Sequence, residues 1–469
     1  MKNKFLSLLL LLVLSFSCVF GVTACDVGGG DSSSTAGGNS SATGEPVDYV
    51  SDLKLDMNSE TLKAEATVKM YIDGDTTHFY VDETVSPTGV LKARYIGINT
   101  PESTGRIEPW GKTASNYTKD KLLNATSIML ETDSTTWEKD STGDRHLVWV
   151  WYKTSETAEY RNLNLEILQE GLAIPSNTGA TRYGTQGLAA NMQAKDLKIK
   201  VYATTPDPDF YYGEAIEMTL KELRLNIQDY NGSKVAFEGV ATYQYNDGYY
   251  IENYDEISDT YFGIYVYLGK GNTASDQLKP GNKVRIVGSV TNFNGSWQVS
   301  GLEYFPQFDP TEPPNPNNTV NLFPGQKFDM ANLETSATTF NGNKTITVQV
   351  QGEDDEWIDQ EKTFKYSQLA LQTTISMKNL QVIDVWTTTN PSSKSKGAMT
   401  ITCQVGGETI KLRTLVLYDE NNELITEADV QNKTLDIQGV IEYYSAASED
   451  GDPDGYQIKI LSWDHITVK

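Results

Sequence analysis

Cysteine and histidine are nearly missing from this 469-residue chain, with three of each. Cys18 and Cys25 lie in or beside an apolar N-terminal run. Cys403 is then alone in the body of the chain, which excludes an intramolecular disulfide framework. It lies in a strand-like run, residues 400–405, and is expected as a small buried core residue. His78, His146 and His465 are scattered, which excludes a His-rich metal cluster and leaves little for a Ser-His-Asp triad. A bound metal is expected to take oxygen ligands instead. Long hydrophobic runs are also scarce. The one at the extreme N-terminus excludes a polytopic membrane protein. Basic charge is short as well, and the formal net charge is −25. Residues 49–204 carry 17 Lys and Arg against 21 Asp and Glu, whereas residues 205–469 carry 19 against 38. An acidic C-terminal half repels a polyanion unless local basic groups or metals intervene.

What is present is aromatic and β-rich: 26 Tyr and 8 Trp, with 37 Gly to punctuate them. At this length two to four domains are expected. Residues 1–24 read as an export signal, with Lys2 and Lys4 before the apolar stretch from Phe5 to Phe20. Val22-Thr23-Ala24-Cys25 resembles the bacterial lipobox, which implies that Cys25 is lipidated. Residues 25–48 are rich in Gly and Ser and suit a flexible tether. This predicts a lipid-anchored protein on the extracytoplasmic face of the cell membrane.

Residues 49–204 mix strand and helix patterns, an α+β arrangement. Residues 68–72 and 78–81 flank an Asp-Gly-Asp turn like a hairpin, and residues 91–96 and 146–151 alternate as strands. Helical spacing covers 114–125, 163–172 and 187–196. Residues 205–310 are dominated by strand candidates: 234–243, 249–253, 261–268, 283–292 and 297–304. A Pro- and Asn-rich linker, 311–325, follows, and 326–469 returns to the β-rich style. Val284, Ile286, Gly288 and Val290 alternate in one region, and Leu435, Ile437, Gly439 and Ile441 in the other. Each is followed by a turn and a short closing strand. This weak repeat suggests two copies of a five-stranded barrel resembling the OB-fold.

Two blocks carry chemistry: Ile72-Asp73-Gly74-Asp75-Thr76, and the stretch from Arg94 through Asn99-Thr100-Pro101-Glu102. Hard cations want carboxylate, amide and carbonyl oxygens. A general base wants a carboxylate near a water. A phosphodiester wants Arg, whose planar fork matches two oxygens. All three occur within nine residues of the second block. Asp73 also suits a simple turn cap beside Gly74.

These blocks, with Arg145 before Leu147-Val148-Trp149 and Asn164 through Gly171-Leu172-Ala173, resemble the staphylococcal nuclease (thermonuclease) family in order and spacing over residues about 62–202. The resemblance implies an α+β OB-type barrel with three helices, followed here by two all-β OB-like barrels. It implies Ca²⁺ as cofactor, with Asp75, Asn99 and the Thr100 carbonyl as ligands and Asp73 behind them. It implies Arg94 and Arg145 gripping phosphate, Glu102 as general base, and DNA and RNA as substrates cut to 3′-phosphate ends. Asn99 stands where the family has Asp, and the family's Tyr-Gly before the second Arg is replaced by a run ending in Asp144. Near Ala173 only Tyr183 is left as an aromatic for base contact. The alternative is a non-catalytic surface binder with a degenerate nuclease domain. In the OB-like barrels Tyr243, Tyr245, Tyr249, Tyr250, Phe293 and Trp297 suit either a stacking platform for single strands or ordinary barrel packing.

Overall fold

The computed structural model describes residues 46–141, 145–269, 273–293, 295–305, 314–351, 357–444 and 455–469. The export signal, Cys25, Asp144 and residues 306–313 of the linker region lie outside the described residues. Residues Val47–Lys469 form one body.

The first barrel is built from β1 (Lys63–Asp73), β2 (Thr76–Tyr80), β3 (Val90–Tyr95), β4 (Ser127–Glu131) and β5 (His146–Lys153). Helix α1 (Gly111–Leu123) joins β3 to β4, and α2 (Leu163–Gln169) and α3 (Gly184–Asp196) follow β5. Around the barrel the order is β1-β2-β3-β5-β4 and back to β1, with β3 and β5 parallel and all other neighbours antiparallel. The hairpin, both alternating strands and all three helices lie where the sequence pattern puts them. Strand β4 escapes that pattern because Ile128, Met129, Leu130 and Glu131 are all buried, so no period of two exists.

The second barrel repeats the order. Its strands are β6 (Lys234–Tyr245), β7 (Gly248–Asp255), β8 (Thr260–Tyr267), β9 (Lys283–Phe293) and β10 (Ser296–Ser300). Strands β6 and β9 close it, and β8 runs parallel to β10. Helix α4 (Leu220–Leu225) packs its Leu220 and Leu223 into the same core. Val284, Ile286 and Val290 point inward as their alternation requires. Arg285, on the other face, is also buried. It pairs with Glu217 and lies 3.9 Å from the ring centroid of Tyr211.

A hairpin, β11 (Asn343–Gln351) and β12 (Trp357–Lys365), comes next in the chain. The third barrel has β13 (Thr374–Thr387), β14 (Met399–Val405), β15 (Glu408–Thr414), β16 (Thr434–Tyr443) and β17 (Tyr456–Ile460). It shows the same order and the same single parallel pair, β15 with β17. The structure is thus a multidomain array of three closed five-stranded barrels, the first carrying helices and the others almost all β. Cys403 lies in the third core, and burial pushes its thiol up to about 12.

The hairpin belongs by sequence to residues 326–469, yet its Ile346 and Val348 join the core of the second barrel, with Phe364 packed against them. Segment Val320–Asn321, inside the stretch expected to be linker, adds to the edge of β9. The closing strand expected at 297–304 ends early, at Ser300.

Glu131 ties the first barrel together. Its fully buried carboxylate accepts from Thr61 Oγ1 at 2.7 Å, Trp151 Nε1 at 2.9 Å and Tyr183 OH at 3.0 Å. Lys63 and Arg182 approach it at 3.9 Å each. Removing one partner of a buried ionic group leaves the others uncompensated. Glu131→Ala is therefore expected to cost about 3–5 kcal/mol of stability, read from the urea midpoint of Trp fluorescence. An unchanged midpoint would refute this role for Glu131.

Candidate active site

The turn between β1 and β2 carries Asp73-Gly74-Asp75. A register shift between Tyr71 and Asp73 kinks the strand just before it. Gly74 is required there, because a Cβ would lie 2.8 Å from both Thr100 Oγ1 and Thr100 Cγ2. Asp73 accepts from its neighbour Gly74 N at 2.7 Å and from Ser103 Oγ at 2.7 Å. Asp75, 1% exposed, takes the amide of Thr100 on Oδ2 at 2.8 Å, while Oδ1 pairs with Arg94. The turn and the loop after β3 are locked together by these bonds.

Arg94 is directly opposite Thr76 across β2 and β3, so strand pairing alone carries it to the turn. Its two terminal nitrogens fork, one to Asp75 and one to Asn99 Oδ1. The chain then reverses at Gly97, where φ is +81°. Asn164 of α2 holds this reversal by donating to Ile96 O at 3.0 Å and Val148 O at 3.1 Å. Ile98–Asn99 pairs with Ile174–Pro175, which fixes the far side of the loop. Arg145, at the foot of β5, is buried and held by Asp140 at 2.8 Å through Nε and 2.6 Å through Nη2.

Asp73, Asp75, Arg94, Asn99, Glu102 and Arg145 all line one cleft of about 760 Å³, as does Thr100. Sequence positions 73 to 145 thus line one cleft. Eight carboxylates and three cationic side chains line this cleft. The imbalance shows in the acids. Burial, then repulsion from Asp73 and Asp75, pushes Glu102 up to about 9. Burial and the neighbouring Asp75 raise Asp73 to about 6.

Among the described residues no group of three His, Cys, Asp or Glu is arranged to hold a metal ion. The expected ligands differ from such a cage: one carboxylate (Asp75), one amide oxygen (Asn99) and one backbone carbonyl (Thr100). All are oxygen donors, and the surrounding acids carry unbalanced negative charge. Thr100 Oγ1 is buried without a hydrogen-bond partner beside them. This donor set fits a hard divalent cation.

Tyr183 is a correction. It is 7% exposed, stacks edge-on to Trp149 at 5.1 Å and to Trp151 at 5.5 Å, and donates its hydroxyl to Glu131. It packs in the core and does not line the cleft, so it cannot offer a ring face to a base. Of the six aromatics weighed for the second barrel, only Phe293 is exposed. Tyr249 is in the core, Tyr250 bonds Glu442 of the third barrel, and Tyr243 packs on His465 at 4.6 Å. The sequence reading also missed Asp140, Ser103, Gln349 and Asp359. The first two are ordinary loop residues in sequence. The last two are more than 240 positions from Arg94, and nothing local announces them.

Residues 92–203 match the family model described as Staphylococcal nuclease homologue. A thermonuclease from Staphylococcus intermedius is 37% identical over 109 residues, which make up 23% of this chain and 56% of that protein. The chain therefore spans a little over half the length of that relative. The matched family region begins after the Asp73–Asp75 turn, which the barrel brings to it.

Proposed function

We propose that this chain, which contains a staphylococcal nuclease-family domain, is a lipid-anchored extracytoplasmic nuclease that depends on Ca²⁺ and hydrolyses DNA and RNA phosphodiesters with little sequence preference. The observation that carries the reading is the convergence of Arg94, Arg145, Asp75 and Glu102 on one cleft. Such a site reads phosphates, which carry no sequence information. Cys25, the export signal and the tether support the anchor.

The chemistry assigned to each residue follows from its place. Asp75, Asn99 and the Thr100 carbonyl would hold the cation. When bound, Ca²⁺ would supply positive charge next to the phosphoryl oxygens. Arg94 comes from β3 and Arg145 from the foot of β5, so the two guanidinium groups enter the cleft from different sides, and each would exchange present acceptors, Asp75 and Asn99 or Asp140, for the phosphate. They stabilise charge as it develops on the equatorial oxygens. Glu102, on the loop between them and the metal ligands, takes the proton from the attacking water at its carboxylate. The bond from phosphorus to the 5′ oxygen breaks, that oxygen takes a proton from solvent water and departs as a hydroxyl, and phosphate remains on the 3′ side. Asp73 holds Ser103 and so positions the Glu102 loop. The non-catalytic reading draws on Asn99, which leaves the ligand set one charge short, and on the altered approach to Arg145.

A plasmid digest separates the two readings. Cleavage is expected with Ca²⁺ and none in excess chelator; activity that survives the chelator would remove the site assignment. Asn99→Asp adds a charge to the ligand set and is expected to lower the Ca²⁺ concentration for half-maximal activity.

Glu102→Gln keeps size and removes the base. Turnover should fall by roughly 10²–10⁴-fold, measured as kcat on a short oligonucleotide. Arg94→Lys should be comparably severe, because an ammonium cannot span the Asp75–Asn99 fork. A kcat within twofold of wild type for Glu102→Gln would eliminate Glu102 as the base.

Membrane fractionation checks the anchor. Wild type should partition with membranes and Cys25→Ser should not. Identical partitioning of the two would defeat the lipidation reading.

A further inference from the structure

We propose that the β11–β12 hairpin forms a wall of the catalytic cleft and that its Asp359 is a charge gate weakening the binding of long polyanions relative to short ones. The inference rests on nucleic acid being the ligand of that cleft. Gln349 and Asp359 are direct cross-strand partners on the hairpin, and both line the cleft with Asp73, Arg94, Glu102 and Arg145. Two partners from one rung of a ladder reach the site together, so the arrangement belongs to the hairpin face and not to one stray side chain.

The wall is fixed in place from two sides. Ile346 and Val348 are buried in the second core, which prevents the hairpin from swinging freely. At the cleft, Thr104 Oγ1 donates to Gln349 Oε1 at 3.3 Å. Gly105, at φ +64°, lets the loop approach, because a Cβ there would be 3.0 Å from the same oxygen. That loop is itself tied to the second barrel: Thr219 N donates to Gly105 O at 3.0 Å and Ile107 N to Glu217 O at 3.1 Å. One residue earlier in the loop, Ser103 bonds Asp73. Two hydrogen bonds and the Ser103–Thr104 backbone thus connect the hairpin to the Asp73 turn.

The consequence is electrostatic. A cleft of about 760 Å³ has the size of a site for a small ligand, so it holds a short piece of a nucleic acid strand. Into that cleft the hairpin presents a carboxylate, in a half of the chain that carries 38 acids against 19 bases. A short substrate brings few phosphates near Asp359. A long one adds repulsion with each phosphate within a Debye length.

The test uses the full chain with Asp359→Asn and Asp359→Lys, on a trinucleotide and on long single-stranded DNA. At about 50 mM salt, removing the opposing charge should lower KM for the long substrate about three- to tenfold. The Lys variant should lower it further. For the trinucleotide KM should fall by less than it does for the long substrate. The difference should fade at about 500 mM salt. Equal KM values for wild type and both variants, or a change of the same size on both substrates, would overturn the gate. Binding of fluorescent poly-dT in excess chelator reads the gate without turnover. Tighter, salt-sensitive binding by the variants is expected there, and equal binding overturns the proposal. A wild type that cleaves nothing but shows gate-sensitive binding would remove the nuclease reading and leave the gate standing.

Discussion

Asp75 is the point on which the site depends. A carboxylate at 1% exposure is stable only if its oxygens are satisfied, and three groups from three segments satisfy them: Thr76 next to it, Arg94 from β3 and the Thr100 amide from the following loop. That single group fixes the turn, the guanidinium and the candidate cation loop relative to one another. Gly74 lets Thr100 come close enough for the bond. The cost of burying the charge is offset by Arg94, and Arg94 is thereby set with its fork spanning Asp75 and Asn99. Burial first, and then repulsion between the neighbouring acids, raises both Asp73 and Glu102.

The barrel supplies what the loop cannot. In the order β1-β2-β3-β5-β4 the one parallel contact, β3 with β5, brings Arg94 opposite Leu147, so Arg145 begins its strand close to where Arg94 ends its own. Glu131 and the Trp149–Trp151–Tyr183 cluster stiffen the wall behind them. Downstream, the modules interlock. Arg106 bridges to Met218 and Ile107 N donates to Glu217 O, which joins the first barrel to the second, and the β11–β12 hairpin adds Gln349 and Asp359 to the cleft. Residues 205–469 therefore touch the site even though its candidate chemical groups all lie between 73 and 145.

Much of this was legible in the sequence, for physical reasons that differ by residue. The hairpin carrying Asp73 and Asp75 and the strand carrying Arg94 could be found because turn chemistry and strand alternation are local, whereas their roles came from the family resemblance. The barrel strands with one buried face declared themselves by period two; β4 did not, because both of its faces are covered. Tyr183 was misplaced for the same kind of reason. An aromatic after Gly171-Leu172-Ala173 looks available in one dimension, and only the packing of α3 shows that Trp149 and Trp151 claim its ring. The second barrel's tyrosines were ambiguous until the third barrel's Glu442 and His465 took Tyr250 and Tyr243. Gln349 and Asp359 had no local signal at all, since their role comes from how one module docks on another.

The three barrels share one strand order and one parallel pair, yet the acids and the arginine coincide in only one. In the first, Thr76 faces Arg94 across the second and third strands, and the turn before Thr76 supplies Asp73 and Asp75. In the third, Thr400 faces Arg413 in the matching place. Arg413 bonds the hydroxyls of Thr400 and Thr388, each at 3.0 Å, and the loop before this strand offers Asn390, Ser393 and Lys394 where the first barrel has carboxylates. Among the described residues no carboxylate is hydrogen-bonded to this guanidinium. In the second, Gly248 faces Tyr267, and even the arginine is gone. The strand order delivers a residue to that corner in every copy. The candidate site includes the carboxylates of the turn as well, so the fold repeats while, among the described residues, that arrangement does not.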